Sequence, residues 1–201
     1  MPVHEQTGAN ESAMTKLIWG MVLFFGAHLV SLSPLRAAIV SKMNENAYKG
    51  VYSLIALAGL GLMIWGFILA RAGPDAARIV YDPIVGSSHG TMLLVLVALV
   101  LLAAAHGKSH IKLWVKHPMS LGVGLWATGH LLVNGNLSEV LLFGGFLALG
   151  VLDFIVSTAR GKVPSYEPRL KSDIIAVVVG LVLYGVFISL HQTLFSVSPI
   201  Y

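Results

Sequence analysis

The sequence predicts an all-α, polytopic membrane protein: a single domain over residues 1–201 built as a bundle of about six transmembrane helices, with both termini periplasmic. Of its residues, 56% are hydrophobic and only 11% are charged, which is outside the range of soluble domains. The apolar residues also form runs that approach the roughly 20 residues needed to cross a bilayer. The runs are 17–35, 51–70, 89–105, 118–133, 137–158 and 174–194.

Turn and breaker residues separate these runs. Pro34 and Pro118 lie at run ends, where the missing backbone N–H costs little. The fourth and fifth runs are joined only by Asn-Gly-Asn at 134–136, so we expect them to form an antiparallel hairpin. Glycines in the first two runs fit either a dimer seam or packing within one chain, and the oligomeric state stays open. These glycines are Gly20, Gly26, Gly59, Gly61 and Gly66.

The Lys and Arg residues predict the orientation. Ten of the thirteen lie in alternate loops, at 36–49, 108–116 and 160–171. The positive-inside rule places these loops in the cytoplasm of a bacterium and both termini outside its inner membrane. A cleaved signal peptide is not expected, because the start is acidic and no small-residue cleavage site follows the first run. Membrane lipid is therefore the expected partner, and nucleic acid is not.

The chain has no cysteine, which excludes disulfides, thiolate metal sites and cysteine nucleophiles. Histidine is then the main candidate ligand. His28 and His130 each lie about eleven or twelve residues into an apolar run, where an ionisable group is costly unless it is paired or functional. Since the first helix runs inward and the fourth outward, both imidazoles are expected near the same depth. They could ligate the iron of a b-type haem, or each could hydrogen-bond separately within the bundle.

The neighbours of the two histidines fit a haem loosely. Ala127 and Asn134 lie on the same helix face as His130, and small side chains there would admit a flat macrocycle or a second helix. Arg36, Lys112 and Lys116 are expected toward the cytoplasmic face, where haem propionates could reach them. Arg36 serves equally well as a cytoplasmic anchor.

Two further groups invite an interpretation. His106 and His110 are four residues apart, the spacing that can clamp a metal ion, but Gly107 and nearby lysines count against one. Asp153 is the one acid well inside an apolar run. We expect it to pair with Arg160 or Arg169, with a proton relay as the alternative.

Three segments resemble the NnrU family: Phe-Gly-Ala-His-Leu-Val-Ser-Leu-Ser-Pro-Leu-Arg at 25–36, Lys-His-Pro-Met-Ser-Leu-Gly at 116–122 and Trp-Ala-Thr-Gly-His at 126–130. The resemblance implies an association with bacterial denitrification, through nitrite and nitric oxide reduction, and hence a redox partner or denitrification proteins. A related branch contains the plastid 15-cis-zeta-carotene isomerase, a membrane enzyme with haem b. That likeness implies His28 and His130 as axial ligands. The isomerase has a cysteine where this chain has Ala127, so a cysteine ligand switch cannot operate here.

Several functions follow as expectations. The first is a haem protein with a redox or nitric-oxide-responsive role in denitrification. The others are a haem-dependent isomerase of a polyene lipid and a cofactor-free assembly factor. The element Lys116-His117-Pro118 also resembles membrane methyltransferases that bind S-adenosylmethionine, but the Glu-Glu pair of those enzymes is missing. The alternative is that His117 and Pro118 simply begin the fourth helix.

Overall fold

The computed structural model describes residues 3–73 and 78–195, with side chains from residue 13 onward in those ranges. Over these residues the chain is helical, and its one strand-like feature is an isolated antiparallel bridge between Ile79 and Asn136. The helices are α1 (Val3–Leu32), α2 (Leu35–Met43), α3 (Glu45–Ala72), α4 (Ser88–Ala104), α5 (His110–Val115), α6 (Pro118–Val133), α7 (Leu137–Ala159) and α8 (Leu170–Phe195).

Six of these helices correspond to the six predicted runs. The other two, α2 and α5, were not predicted from the sequence. α6 begins and ends where it was predicted, because Pro118 occupies an early helical position and Asn134 ends the helix. The predicted end of the first helix at residue 35 was wrong. α1 ends at Leu32, and Pro34 occupies the N-cap position of the separate helix α2.

The predicted start of the second helix at residue 51 was also wrong, since α3 begins at Glu45. Asn44 adopts a φ of 72° and its side chain accepts a hydrogen bond from the Ala47 N–H at 3.0 Å. This is an N-cap, which starts the helix two turns before the apolar run.

Within the residues that the structure describes, four helices are long and apolar enough to cross a membrane: α1 from Ala13 to Leu32, α3, α7 and α8. α4 has 17 residues and α6 has 16, which is shorter than a typical span. The structure therefore describes a helical membrane protein.

The chain divides into two compact units, of which the first is Met1–Tyr81 with Asn136–Gly145. Here α1 and α3 run antiparallel and approach at glycines. A Cβ on Gly20 would overlap the backbone of Met63, and one on Gly59 would lie 2.6 Å from the Phe24 nitrogen. This close contact is typical of membrane helix pairs.

The start of α7 also belongs to the first unit. The Arg71 guanidinium lies 3.3 Å from the carboxylate of Glu139, which is buried. The rings of Phe67 and Phe143 meet edge to face, with their centroids 6.3 Å apart. α3 and the first turns of α7 are thereby joined by an ion pair and an aromatic contact.

The second unit is Asp82–Gly135 with Phe146–Tyr201. In it α4 packs against both α6 and α8. The Thr91 hydroxyl donates to the Gly129 carbonyl at 2.9 Å, and a Cβ on Gly180 of α8 would lie 2.6 Å from the Val100 side chain. α4 is thus covered by neighbouring helices on two sides.

The second part of α7 runs antiparallel to α6 within this unit. A Cβ on Gly150 would lie 3.0 Å from the Ser120 carbonyl oxygen, and the rings of Trp126 and Phe146 are 5.4 Å apart edge to face. These contacts confirm the predicted hairpin.

Candidate functional site

His28 lies in α1 of the first unit, one turn before the helix ends. Its Nδ1–H donates to the Phe24 carbonyl oxygen at 2.7 Å, because a carbonyl can only accept. The ring packs against Phe24 at a centroid distance of 4.3 Å and meets Tyr52 of α3 edge to face at 5.4 Å. In the neutral ring the lone pair is then on Nε2.

His130 has the same local arrangement in the second unit. Its Nδ1–H donates to the Trp126 carbonyl oxygen at 2.8 Å, and the two rings lie 4.9 Å apart. The Asn134 side-chain amide donates to the His130 carbonyl at 2.8 Å, which secures the end of α6. Ala127 is fully buried.

Helix geometry alone creates both arrangements, since a side chain can reach the carbonyl of the preceding turn. A histidine that binds a metal commonly donates its other ring N–H to such a carbonyl, which fixes the tautomer and the ring plane. In both residues the contact to the carbonyl uses Nδ1, and Nε2 is the ring nitrogen that it leaves available. Over the described residues, no three His, Asp or Glu side chains group as a protein-only metal site.

Of the basic residues predicted near a cofactor, two have protein partners and the third is exposed. Arg36 forms an ion pair with Glu45 at 2.5 Å and lies over the ring of Tyr48 at 5.4 Å. Lys112 donates from Nζ to the Ala105 carbonyl at 2.6 Å. Lys116 is exposed, has a φ of 61° and ends α5. Arg36 belongs to the unit of His28, whereas Lys112 and Lys116 belong to that of His130.

The sequence counted against a metal ion at His106 and His110, and the structure gives His110 a carboxylate partner. His110 Nδ1 lies 2.6 Å from Asp173 Oδ2, and the other oxygen of Asp173 accepts the Ile111 N–H at 3.1 Å. His106 is exposed. His110 therefore fixes α5 to the start of α8.

Asp153 accepts hydrogen bonds from two serine hydroxyls, Ser120 on α6 and Ser157 one turn along α7. Ser157 at the i+4 position can be found from sequence, because that spacing places both residues on one helix face. Ser120 lies far away in sequence, and no local pattern points to it.

His117 and Pro118 begin α6, as one of the two sequence interpretations expected. The His117 ring packs edge to face on Phe154 at 5.5 Å, and its Nε2 is buried without a hydrogen-bond partner. The packing against α7 was not visible in the sequence.

Sequence reasoning also missed Tyr48. Only 7% of its surface is exposed, and its hydroxyl is buried with no hydrogen-bond partner. The ring stacks on Tyr52 at 6.2 Å, so Tyr48 follows His28 and Tyr52 in one aromatic column. The i, i+4 spacing of the two tyrosines was the available signal.

The fold and the site define a helical membrane protein with one backbone-anchored histidine in each of two helical units. The chain belongs to the NnrU family, since the family model described as NnrU protein matches residues 16–199. The resemblance seen in the sequence is thereby confirmed over most of the chain. No curated protein and no solved structure matches it.

Proposed function

We propose that this protein binds haem b, with His28 and His130 as its axial ligands. The observation that supports the proposal is the shared state of the two rings: each donates Nδ1–H to the carbonyl of the preceding turn. This contact leaves Nε2 of each ring as the atom that would bind haem iron.

The aromatic neighbours restrict how each ligand can turn. Phe24 and Tyr52 contact the His28 ring on two sides, and Trp126 lies against the His130 ring. A ligand held in one orientation reorganises little when its charge environment changes, which favours electron transfer. Haem iron, when bound by two histidines, supplies one-electron chemistry, and binding of a gas requires one histidine to leave.

The role that follows is to support denitrification, either by electron transfer or by responding to nitric oxide. The resemblance of this chain to the NnrU family supports that role. Ala127 argues against the isomerase alternative, because this buried alanine stands where the isomerase has the cysteine of its proposed ligand switch. The protein would then serve partners of nitrite or nitric oxide reduction and need not turn over a polyene itself.

The test is the optical spectrum of detergent-purified protein made with ample haem supply. We expect a Soret band and sharp reduced α and β bands, typical of six-coordinate haem. Both His28→Ala and His130→Ala should lose them. His106→Ala, a change at an exposed histidine, is the matched control and should keep the wild-type spectrum. Protein that purifies without haem under these conditions would refute the proposal and favour a cofactor-free assembly factor.

Two additions to the same preparation separate the functions. Nitric oxide added to the reduced protein should shift the Soret band if one histidine can leave. A cis-polyene should remain unchanged, and its turnover would instead establish the isomerase. Binding of S-adenosylmethionine in a calorimeter would favour a methyltransferase.

We also propose that the chain crosses a bacterial inner membrane six times, with both termini periplasmic. The support comes from the second unit, where α4 packs beside α8, a helix long enough to span, and beside α6. At 1.5 Å per residue the two short helices are about 25 Å long, a mismatch that a bilayer can accommodate by thinning.

A further inference from the structure

A polar cluster lies at the end of the aromatic column that starts at His28. It consists of Arg36, Glu45, Tyr48 and Lys49, and we call it the Tyr48 cluster. Arg36 and Lys49 both contact the Glu45 carboxylate, at 2.5 and 3.4 Å. Two cations thus share one acid, so the cluster keeps an excess positive charge.

The Tyr48 hydroxyl stands out within this cluster. A buried hydroxyl without a hydrogen bond costs roughly 1–3 kcal/mol, because the water it lost is not replaced. Its oxygen is shielded from solvent and has no partner, and the Arg36 guanidinium lies over its ring at 5.4 Å. A group that accepts a hydrogen bond and carries negative charge would satisfy both features.

The column connects this cluster to the candidate ligand. Tyr52 meets the His28 ring at 5.4 Å and stacks on Tyr48 at 6.2 Å. Two ring contacts therefore separate the Tyr48 ring from the His28 ring, the proposed iron ligand, and both lie on the helix pair α1 and α3. A molecule held at His28 with a carboxylate at its edge could accept a hydrogen bond from the Tyr48 hydroxyl and offset the positive charge of the Tyr48 cluster.

We propose that Tyr48 is a positioning residue for the cofactor, whose hydroxyl donates a hydrogen bond to a porphyrin carboxylate beside the positive charge of Arg36. The inference rests on the proposed haem at His28. It gives Arg36 a share in that site in addition to its ion pair with Glu45. The occupant is a carboxylate, since a neutral ligand would leave the excess charge unused.

The test is Tyr48→Phe, which removes the hydroxyl and keeps the ring. In protein prepared without haem, the variant should melt at the same temperature as wild type or higher, because it removes an unpaired buried group. In haem-loaded protein it should release haem to an excess of a haem-scavenging globin about tenfold faster or more, the effect of losing one hydrogen bond to a charged group.

Tyr166→Phe is the matched control. The Tyr166 hydroxyl donates to the Ser109 carbonyl at 2.9 Å in the second unit, so its loss should lower the melting temperature with or without haem and leave haem release unchanged. Arg36→Gln should speed release as Tyr48→Phe does. In the double variant, haem release should accelerate by less than the two single effects combined, because both residues hold the same carboxylate.

If Tyr48→Phe releases haem at the wild-type rate, this inference is overturned and the haem proposal is unaffected. A clear drop in the melting temperature of the haem-free variant would also overturn it, because the hydroxyl would then already have a partner. Wild-type protein that takes up no haem would remove both proposals together.

Discussion

Among single residues, Asp153 offers the clearest test of a buried polar contact. The hydroxyls of Ser120 and Ser157 both donate to its carboxyl group, and both serines are buried. Ser120→Ala removes one donor from a group that water cannot reach easily. We expect the free energy of unfolding to fall by about 1–3 kcal/mol, measured by SDS titration in detergent micelles.

Ser41→Ala is the matched control for that change. Ser41 is exposed, and its hydroxyl donates to the Ala38 carbonyl of its own helix at 2.8 Å. Its loss should alter the free energy of unfolding by no more than about 0.5 kcal/mol. Equal effects from the two variants would mean that Ser120 contributes nothing particular to α6 and α7 packing.

Residues of this kind show how far sequence reasoning reaches. His28 and His130 were found because an ionisable side chain in an apolar run is conspicuous. Asp173 was not matched to His110, nor Ser120 to Asp153, since each contact joins helices that are distant in sequence. Side-chain partners of that type depend on packing, which periodicity does not encode.

At the scale of helices, the glycines of α1 and α3 make the strongest prediction. Gly20→Ala and Gly66→Ala each place a methyl group into the backbone of the opposite helix, which cannot yield as a flexible side chain can. We expect each variant to lose about 1–3 kcal/mol of unfolding free energy, or more, as overpacked sites do. The SDS titration used for Ser120→Ala measures the loss.

Gly26→Ala and Gly61→Ala are controls on the same two helices. A Cβ at either position meets nothing within 4 Å, so alanine should leave stability unchanged or raise it by up to about 1 kcal/mol through helix propensity. Destabilisation by the controls would point to a second chain packed on those positions, one of the two interpretations that the glycine pattern left open.

Helix bounds were predictable to different degrees. α6 matches its prediction because a proline and an Asn-Gly-Asn turn mark both ends. α2 and α5 were missed because they have nine and six residues, below the length at which an apolar period is visible. The start of α3 was displaced because its cap lies in polar sequence, before the hydrophobic run.

For the whole molecule, the absence of cysteine allows clean topology mapping by single cysteines. Lys42→Cys, Val85→Cys, Lys116→Cys and Lys162→Cys all replace exposed residues in separate connecting segments. With six spans, a membrane-impermeant maleimide should label only the Val85 variant in intact spheroplasts. The other three should react only after permeabilisation.

Lys116→Cys decides between six spans and four. If only α1, α3, α7 and α8 crossed the membrane, residue 116 would lie on the same side as residue 85 and would be labelled in intact spheroplasts. That arrangement would leave only seven of the thirteen Lys and Arg residues in the cytoplasm, whereas six spans place ten there. Because such a bias sets orientation during insertion, we expect Lys116→Cys to be protected, and its labelling in intact spheroplasts would refute the six-span bundle.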